Sequence, residues 1–363
     1  MLERPVISNH TSRNGSPLRP AFSSTASLFK PDSAGLGDDV HPIIHEGRVA
    51  VITGAASGIG RAAALELAKL KLKIAIADVD EARLLKVGKD VAAIVGDANV
   101  LVVPTDVSKL DQVVHLKEKV FELWGESQYL VACNVKTIFL ISQCISNSPI
   151  MILIFVQVAV LMNNAGIGLT GTSWDGINNW KTIFDVNLFG ILNVQQTFVP
   201  SMLHQENQGM IINTGSKQGI TNPPGNAAYN ASKAAVKSLT ESLAHELREK
   251  PNSNVTAHLF IPGWTYTNLT GAFTHAEKPA GAWTAEETVL YMLDKVRAGD
   301  FYVLVPDNET RRELDELRIM WAAGDIAEGR PALSRWHKDY KALFEEYVRD
   351  GMAGVGAGSE RSF

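Results

Sequence analysis

The sequence contains few cysteines: there are two in 363 residues, Cys133 and Cys144. A chain of this length with two cysteines is not a small scaffold held together by disulfides. Basic residues are not in excess either, because 34 Lys and Arg stand against 39 Asp and Glu and the formal net charge is −5. Nucleic-acid-binding proteins usually carry a basic face, so we expect no nucleic-acid partner. The nine histidines are scattered and form no set of three or four convergent ligands, so no metal site is predicted.

The sequence also lacks an uninterrupted apolar run of the about 20 residues that a membrane-spanning helix needs. Its most apolar stretch, 127–156, is interrupted by Lys136, Asn147 and Pro149. The N-terminal region has no apolar segment of the kind found in secretory signal peptides. The overall composition, 45% hydrophobic and 20% charged, is typical of a soluble protein with a large buried core. We therefore expect a protein without a membrane span.

Residues 1–46 are rich in Ser, Thr, Pro, Asn and Gly and show no apolar periodicity. This composition is typical of a disordered tail. The segment also has three arginines before a Ser/Thr cluster and few acids, as in a mitochondrial transit peptide, although three prolines would interrupt the helix that such a peptide forms. Both interpretations remain open, and the corresponding locations are the cytoplasm and, as the alternative, the mitochondrion.

From residue 47 onwards, apolar strand patterns alternate with helical patterns. This alternation predicts an α/β fold with a doubly wound parallel sheet and right-handed crossovers, in a single domain over 47–306. A helical extension follows over 307–363. The predicted strands are 48–53, 73–77, 100–103, 158–162, 210–213, 255–260 and 302–305, and the predicted helices are 61–70, 80–91, 108–124, 174–202, 227–248 and 284–297.

The stretch 127–156 breaks this alternation. It enters before the amino end of the predicted fourth strand, whereas ligands of doubly wound sheets bind beyond the carboxyl ends. We therefore expect it on the rim opposite the site. Its apolar composition is unusual for a surface loop, and our hypothesis is a translated intron or a gene-model error.

A glycine-rich turn, Thr53 to Gly60, lies between the first predicted strand and the first helix. Such glycines permit a tight turn, a close approach of backbone N–H groups to a pyrophosphate, and close packing of helix on strand. The helix N-terminus then faces the phosphates. This pattern, in a doubly wound sheet, is that of the Rossmann dinucleotide-binding fold.

Asp78 ends the second predicted strand, 18 residues after Gly60, where an acid can accept hydrogen bonds from the adenosine ribose. The alternative role is a strand-end or capping aspartate. A carboxylate here would repel a 2′-phosphate, and the turn holds no basic residue, so NAD is favoured over NADP. Arg61 lies nearby and is equally consistent with a surface position.

Tyr229 and Lys233 are four residues apart in a predicted helix, so both side chains can approach one site. A tyrosine with a pKa near 10 is a poor base at neutral pH. We expect the neighbouring ammonium and the positive charge of an oxidised nicotinamide to lower that pKa. Ser216 follows a strand and could bind a substrate oxygen. Alternatively, the Tyr/Lys pair lies on a helix surface and Ser216 is a turn residue.

Taken together, the chain resembles the short-chain dehydrogenase/reductase family over about 47–306, with 127–156 left out. The resemblance implies that Tyr229 exchanges a proton with the substrate and that Lys233 lowers the Tyr229 pKa and binds the nicotinamide ribose. It implies that Ser216 polarises the substrate oxygen, that Asn187 holds a water of a proton relay, and that no metal is needed. The motifs that carry it, in order, are Thr53-Gly54-x-x-x-Gly58-x-Gly60, Asp106, Asn163-Asn164-Ala165-Gly166, Asn187, Ser216, Tyr229-x-x-x-Lys233 and Pro262-Gly263-x-x-x-Thr267.

The same resemblance implies a cofactor site in which Asp106 bonds the adenine, Asn164 the adjoining ribose and Thr267 the carboxamide. Candidate substrate contacts are Gln218, Trp264 and Tyr266, whose aromatic rings suggest an apolar or cyclic alcohol or ketone. The cofactor-binding residues predicted in full are Gly54, Ser57, Gly58, Ile59, Gly60, Asp78, Asp106, Val107, Asn164, Ala165, Gly166, Tyr229, Lys233, Pro262, Gly263 and Thr267.

The sequence thus predicts an NAD-dependent oxidoreductase acting on a secondary alcohol or ketone. The alternatives are an NADPH-dependent carbonyl reductase and a non-catalytic dinucleotide-binding protein inactivated by the 127–156 insert. The resemblance also suggests a homodimer or homotetramer that pairs through the helices around 180–202 and 227–248.

Overall fold

Continuous apolar runs in the sequence form strands that are buried on both faces. All five residues of β1, Val49–Thr53, are buried. Along β1 the side chains alternate between two cores: Ala50 and Ile52 pack on one side of the sheet, and Val49 and Val51 pack on the other. The structure is a computed structural model that describes residues 41–130, 151–155, 157–271 and 277–358.

Seven strands form one parallel sheet in the order β3-β2-β1-β6-β7-β8-β9. The order reverses between β1 and β6, and the carboxyl ends of these strands border a crevice of the kind that binds ligands in doubly wound sheets. The predicted Rossmann fold is confirmed. The strands of this sheet are Val49–Thr53 (β1), Lys73–Asp78 (β2), Val100–Pro104 (β3), Val158–Asn163 (β6), Gly209–Thr214 (β7), Val255–Ile261 (β8) and Tyr302–Leu304 (β9).

Helices cover both faces of the sheet. One core lies under α1, α2 and α8, and the other lies under α3, α5 and α7. The helices are Gly58–Lys69 (α1), Glu81–Val95 (α2), Leu110–Trp124 (α3), Ile177–Phe184 (α4), Ile191–Met202 (α5), Gln218–Thr221 (α6), Ala227–Glu249 (α7), Ala285–Arg297 (α8), Arg312–Ala327 (α9) and Lys341–Gly358 (α10).

The helix predicted over 174–202 differs from the observed structure in two ways. It begins later, because Gly176 has a left-handed backbone (φ 79°) and Trp174 is 88% exposed before it. It is also not a uniform α-helix, since Asp185–Gly190 form a π-helical segment between α4 and α5. A π-helical segment places an extra residue in the helix and is often found at functional sites. Asn187 lies inside it.

The N-terminal tail was predicted over 1–46, and its first 40 residues lie outside the described part of the chain. Residues 41–46 are not separate from the domain. Ile43 and Ile44 are buried in the core, and their backbone N–H groups both donate to His41 Nδ1. The packed domain therefore includes residues that the composition had placed in the tail.

The unusual stretch 127–156 is described only at its two ends. Glu126–Leu130 (β4) and Met151–Phe155 (β5) form a separate antiparallel pair, in which Glu126 is opposite Phe155. This pair precedes β6, at the amino end of that strand. The position on the rim opposite the crevice stays a prediction, and both cysteines lie outside the described residues.

The C-terminal extension is helical where it is described, as predicted. Trp321 of α9 is buried, and its ring contacts Phe344 and Tyr347 of α10 at centroid distances of 5.4 and 5.2 Å. The guanidinium of Arg330 lies 4.0 Å from the Trp321 ring centroid. The two helices therefore share a small aromatic core, and α9 also packs against α6.

Within the described ranges, no helix is both long and apolar enough to cross a membrane.

We predict that removing residues 127–156, which joins Glu126 to Gln157, leaves the fold intact. The two ends of the segment are already paired, and β4 and β5 make no ladder with the seven-stranded sheet. Circular dichroism and urea unfolding should show unchanged secondary structure and one cooperative transition. Loss of the cooperative transition would show that the hairpin is part of the domain core.

Candidate active site

The glycine turn after β1 has a backbone that side chains would not tolerate. Gly54 and Gly58 have φ values of 67° and 52°, in the left-handed region that favours glycine. A Cβ atom on Gly60 would meet the Gly54 carbonyl oxygen and lie 2.6 Å from Asn164 Nδ2. Ser57 is the N-cap residue of α1, and no capping hydrogen bond from its side chain is observed. The turn therefore brings the backbone and the N-terminus of α1 close to any anion in the crevice.

Asn164 ties the end of β6 to this glycine turn. Its Nδ2 donates to the carbonyl oxygens of Thr53 and Gly54, both at 3.2 Å. The Thr53 hydroxyl oxygen accepts hydrogen bonds from the N–H groups of Asn164 and Ala165 at 3.1 and 3.2 Å. Sequence motifs that are 110 residues apart thus form one rigid wall.

Asp78 lies at the carboxyl end of β2, as predicted, and is engaged by backbone groups. Its two carboxylate oxygens accept hydrogen bonds from Ala56 N–H at 2.9 Å and Asp80 N–H at 3.0 Å. Each oxygen retains a further acceptor position. Asp78 therefore braces the glycine turn and can still accept from a ribose hydroxyl. Arg61 forms a surface ion pair with Asp90 at 2.9 Å.

Asp106 and Val107 follow β3 on the same edge of the sheet. The Asp106 Oδ1 atom accepts hydrogen bonds from the Ser108 N–H and hydroxyl groups at 2.9 and 2.7 Å. The Val107 side chain is buried and lies against Gly190. A Cβ atom on Gly190 would be 2.6 Å from Val107 Cγ2. The third strand end thereby contacts the π-helical segment that contains Asn187.

Asn187 is fully buried and fixes the loop that follows β6. Its Oδ1 accepts from Ile167 N–H at 2.8 Å, and its Nδ2 donates to the Ile167 carbonyl at 3.0 Å and to Ser232 Oγ at 3.2 Å. All of its side-chain polar atoms are therefore engaged by protein groups. Gly166 lies beside it, because a Cβ atom there would be 3.4 Å from Asn187 Oδ1 and 3.6 Å from Lys233 Nζ.

The structure brings Ser216, Tyr229 and Lys233 together. The Tyr229 hydroxyl is hydrogen-bonded to Ser216. Lys233 is buried, its Nζ lies 5.8 Å from the Tyr229 ring centroid, and it donates to the Thr214 carbonyl at 2.8 Å. The alternative of an exposed Tyr/Lys helix pair is therefore excluded, and so is an isolated turn serine.

The expected lowering of the Tyr229 pKa is wrong for the chain by itself. Burial raises the pKa of Tyr229, and the hydrogen bond with Ser216 only partly opposes this effect. Burial also lowers the pKa of Lys233 to about 8, because its ammonium has been removed from water. The expectation considered the charge of the neighbouring lysine but not the desolvation of both groups, which dominates here.

The segment after β8 crosses the mouth of the crevice. Thr267 lies over the glycine turn, where a Cβ atom on Gly58 would be 3.1 Å from Thr267 Cγ2. Leu269 is half exposed and lies over Gly168, since a Cβ atom on Gly168 would be 3.0 Å from Leu269 Cδ1. The sequence predicts a flexible segment over 267–282 that closes over the substrate, and Leu269 lies within it. Residues 272–276 of this segment lie outside the described residues.

The predicted substrate contacts occupy two turns at this edge. Gln218 is exposed at the start of α6, and its N–H donates to Ser216 Oγ at 3.2 Å. Trp264 and Tyr266 follow Pro262 and Gly263 and are held by backbone hydrogen bonds to Trp283 at 2.9 and 2.8 Å. Of these three residues, Gln218 is the one with a hydrogen bond to Ser216.

Two charged residues at this edge were also missed, Lys217 and Asp307. Asp307 Oδ2 accepts hydrogen bonds from Trp264 N–H at 3.0 Å and from Lys217 Nζ at 3.2 Å. Asp307 comes shortly after a strand, β9, as Asp106 does after β3, and this position was the available signal. Nothing local in the sequence indicates that its partner is Lys217.

The arrangement fits a dinucleotide cofactor and proton-transfer chemistry. The glycine turn is a cradle that a Cβ atom would fill, and it opens at the N-terminus of α1. Among the described residues, no group of three or more His, Cys, Asp or Glu side chains could hold a metal ion.

The model of the short chain dehydrogenase family matches residues 48–139 and 151–278, which is more than half of the chain. The chain belongs to this family. Members are oxidoreductases that use a nicotinamide cofactor. The match breaks off over 140–150, inside the unusual stretch.

Individual relatives agree with this assignment. A 3-oxoacyl-[acyl-carrier-protein] reductase of Thermotoga maritima is 31% identical over 62% of this chain and 77% of its own length. A CLA biosynthesis dehydrogenase/reductase of Lactiplantibacillus plantarum is 29% identical over 61% of this chain and 66% of its own. The crystal structure of a short-chain dehydrogenase/reductase from Burkholderia phymatum in complex with NAD is 29% identical, with a TM-score of 0.63, and covers 79% of this chain and 96% of that one.

We predict that Gly60→Ala lowers stability by about 1–3 kcal/mol through overpacking and also weakens dinucleotide binding. The added methyl group meets the Gly54 carbonyl and Asn164, so the turn must shift. Urea unfolding and a binding titration measure the two effects. In the control Gly299→Ala, a positive φ of 84° costs about 1–2 kcal/mol of stability, but the site is open and binding should not change. Equal binding by Gly60→Ala and the parent would contradict a role for the cradle.

Proposed function

We propose that the protein transfers a hydride between NAD and an apolar or cyclic secondary alcohol or ketone, using Ser216, Tyr229, Lys233 and Asn187. The observation that carries the proposal is the hydrogen bond between the Tyr229 hydroxyl and Ser216, with the Lys233 ammonium buried beside the same ring. The names of the relatives, a dehydrogenase/reductase and a 3-oxoacyl reductase, agree with alcohol–ketone chemistry.

In this proposal the bound nicotinamide supplies the site that accepts or donates the hydride. The Ser216 hydroxyl donates a hydrogen bond to the substrate oxygen and so holds that oxygen beside Tyr229. Tyr229 then takes the substrate hydroxyl proton during oxidation and returns it during reduction. Because the pKa of Tyr229 is raised by burial, Tyr229 is in the protonated state suited to a proton donor at neutral pH.

Lys233 and Asn187 support this proton transfer. The buried Lys233 ammonium has one described hydrogen bond, to the Thr214 carbonyl, so two of its three donors remain for other groups. Asn187 holds Ile167, and with it the loop that begins at Gly166, through two hydrogen bonds. Both Nδ2 donors are used within the protein, so a proposed water of the relay would bind at the second acceptor position of Oδ1 or at a backbone group.

Two features support NAD rather than NADP, and a third supports an apolar substrate. The Asp78 carboxylate lies at the ribose end of the crevice and would repel a 2′-phosphate. Arg61, the nearest basic residue to the turn, is paired with Asp90. The exposed half of Leu269 adds apolar surface to that of Trp264 and Tyr266 at the mouth.

We predict that Tyr229→Phe lowers kcat by about 10²–10⁴-fold or more while NAD binding is nearly unchanged. The ring still fills its site, and the lost hydroxyl is the proposed proton donor and acceptor. Lys233→Ala should lower kcat and also weaken NAD binding, because Lys233 is proposed to contact the nicotinamide ribose. Steady-state kinetics and fluorescence titration with NAD measure these effects.

The pH profile of the parent provides a further check. Since burial raises the pKa of Tyr229, the rate of alcohol oxidation should keep rising towards pH 10 instead of levelling off near neutrality. In the control Lys119→Met, an exposed ion pair with Glu122 is lost and the rates should not change. Near-normal turnover by Tyr229→Phe would remove Tyr229 from the mechanism.

We predict that Asp78→Ala weakens NAD binding by the equivalent of about 1.5–3 kcal/mol and relaxes discrimination against NADP. Its matched control is Asp80→Ala, which removes the α2 cap hydrogen bond to Arg83 N–H at 3.0 Å and costs about 1 kcal/mol of stability. Only the first variant should change the ratio of NAD to NADP activity. An unchanged ratio would show that Asp78 serves only to brace the glycine turn.

A further inference from the structure

Three charged side chains meet between the active site and the C-terminal segment. Lys217 Nζ lies 3.2 Å from Asp307 Oδ2 and 2.5 Å from Asp315 Oδ2. The side chains are shielded from water, since Lys217 is 18% exposed, Asp307 5% and Asp315 6%. We call Lys217, Asp307 and Asp315 the buried ion triad.

The triad joins three parts of the chain that are far apart in sequence. Lys217 belongs to the turn after β7, Asp307 follows β9, and Asp315 lies in α9. Asp307 Oδ2 also accepts from Trp264 N–H, in the turn after β8, at 3.0 Å, and its Oδ1 accepts from Thr310 N–H at 2.8 Å. The turns that carry Ser216 and the Pro262-Gly263 motif are thereby fastened to the segment that leads into α9.

Lys217 is the residue directly after Ser216, so its position fixes the position of Ser216. The Lys217 carbonyl accepts hydrogen bonds from Ile220 and Thr221 N–H, both at 3.1 Å, and these form α6. This short helix lies against the catalytic helix, because a Cβ atom on Gly219 would be 2.7 Å from the Lys233 carbonyl oxygen. A shift of Lys217 would therefore move Ser216 relative to both Tyr229 and Lys233.

A buried ion triad is a weak way to stabilise a fold, because removing charges from water offsets much of their attraction. Burial raises the pKa of Asp315 despite its contact with Lys217, which shows that the cost is not fully compensated at this group. Asp307 differs: burial alone would raise its pKa, but the Trp264 N–H and Lys217 hold it below the usual range. Arg318 and Arg335 add positive charge near Asp315. The hydrogen bonds of Asp307 with Lys217 and Trp264 define geometry more than the three charges add stability.

We propose that Lys217 is a positioning residue for the reaction: held by Asp307 and Asp315, it sets the Ser216 hydroxyl at hydrogen-bonding distance from Tyr229. The C-terminal segment that begins at Asp307 is then part of the active-site machinery. This proposal rests on the proposed function, because it assigns Lys217 a role in the reaction of Ser216 and Tyr229.

The first test is Lys217→Met in the full chain, assayed with NAD and a secondary alcohol that the parent oxidises. We expect kcat to fall by about 10²-fold, as for a misplacement of about 1 Å at a reacting group. The dissociation constant for NAD should not change, because no contact of Lys217 with the glycine turn is observed. Lys217→Arg keeps the charge and the donors and should restore most of the rate.

Loss of a buried cation leaves two carboxylates uncompensated, and Lys217→Met can fail for that reason alone. The triple variant Lys217→Met, Asp307→Asn, Asp315→Asn removes this imbalance and keeps the side-chain shapes. If Lys217 positions Ser216, the kcat of the triple variant should stay as low as that of Lys217→Met. Recovery of the parent kcat in the triple variant would overturn the proposal, since the triad would then serve only charge balance.

A double-mutant cycle separates positioning from general damage. In a Ser216→Ala background, Lys217→Met should lower kcat no further, because its effect passes through the Ser216 hydroxyl. Multiplied losses in the double variant would contradict the proposal. Lys119→Met, which removes an exposed lysine of similar shape, should leave kcat unchanged in either background.

A substrate-free readout keeps this proposal distinct from the proposed function. Since the hydrogen bond with Ser216 lowers the pKa of Tyr229, its loss in Lys217→Met should move Tyr229 ionisation to higher pH. Ultraviolet titration shows this as the difference between each protein and its Tyr229→Phe counterpart. If the parent shows no turnover but Lys217→Met shifts the Tyr229 titration, the proposed function alone is overturned. If the parent turns over substrate and Lys217→Met changes neither the titration nor kcat, the positioning role alone is overturned.

Discussion

The parallel direction of the strands in the seven-stranded sheet is the constraint on which the site depends. Because these strands run the same way, the groups that follow β1, β2, β3, β6, β7, β8 and β9 all reach one edge. Backbone contacts then join neighbouring strand ends, as Asn164 joins β6 to the glycine turn and Asp307 joins β9 to the turn after β8. The crevice is thus assembled from residues that lie up to about 250 positions apart, without any one of them needing a long loop.

Features set by short-range patterns could be predicted from the sequence. The glycine turn, the Tyr229/Lys233 spacing and the alternation of strands and helices each depend on neighbours within a few residues, and all three are confirmed as structural features. The π-helical segment around Asn187 was missed, because it depends on the tertiary contact with Ile167. The contact of Lys217 with Asp307, 90 residues apart, could not be read from local pattern. The direction of the Tyr229 pKa was wrong for the chain without a cofactor, because burial is a property of the folded chain.

Buried polar groups support the site from beneath as well as from the side. Asn163 donates to Asn213 at 2.8 Å, and Asn213 donates in turn to Gln195 at 3.1 Å and to Thr240 at 3.0 Å. This chain links β6, β7, α5 and α7 directly below the strand ends that carry Asn164 and Ser216. Buried hydrogen-bonded networks of this kind rigidify a core, because a displacement breaks bonds that water cannot replace. The network and the ion triad therefore restrict neighbouring strand ends, and both restrict the end of β7.

The location of Asp307 and Asp315 late in the chain also orders events during synthesis. On the ribosome, the glycine turn, Ser216, Tyr229 and Lys233 are all made before either aspartate, and domains generally fold as units while synthesis proceeds. Until residues 307–315 have emerged, Lys217 would be a cation without its two carboxylates, next to the side chains proposed for catalysis. If Lys217 positions Ser216 as we propose, the end of the chain would complete the active site after the residues proposed to bind the dinucleotide have been made.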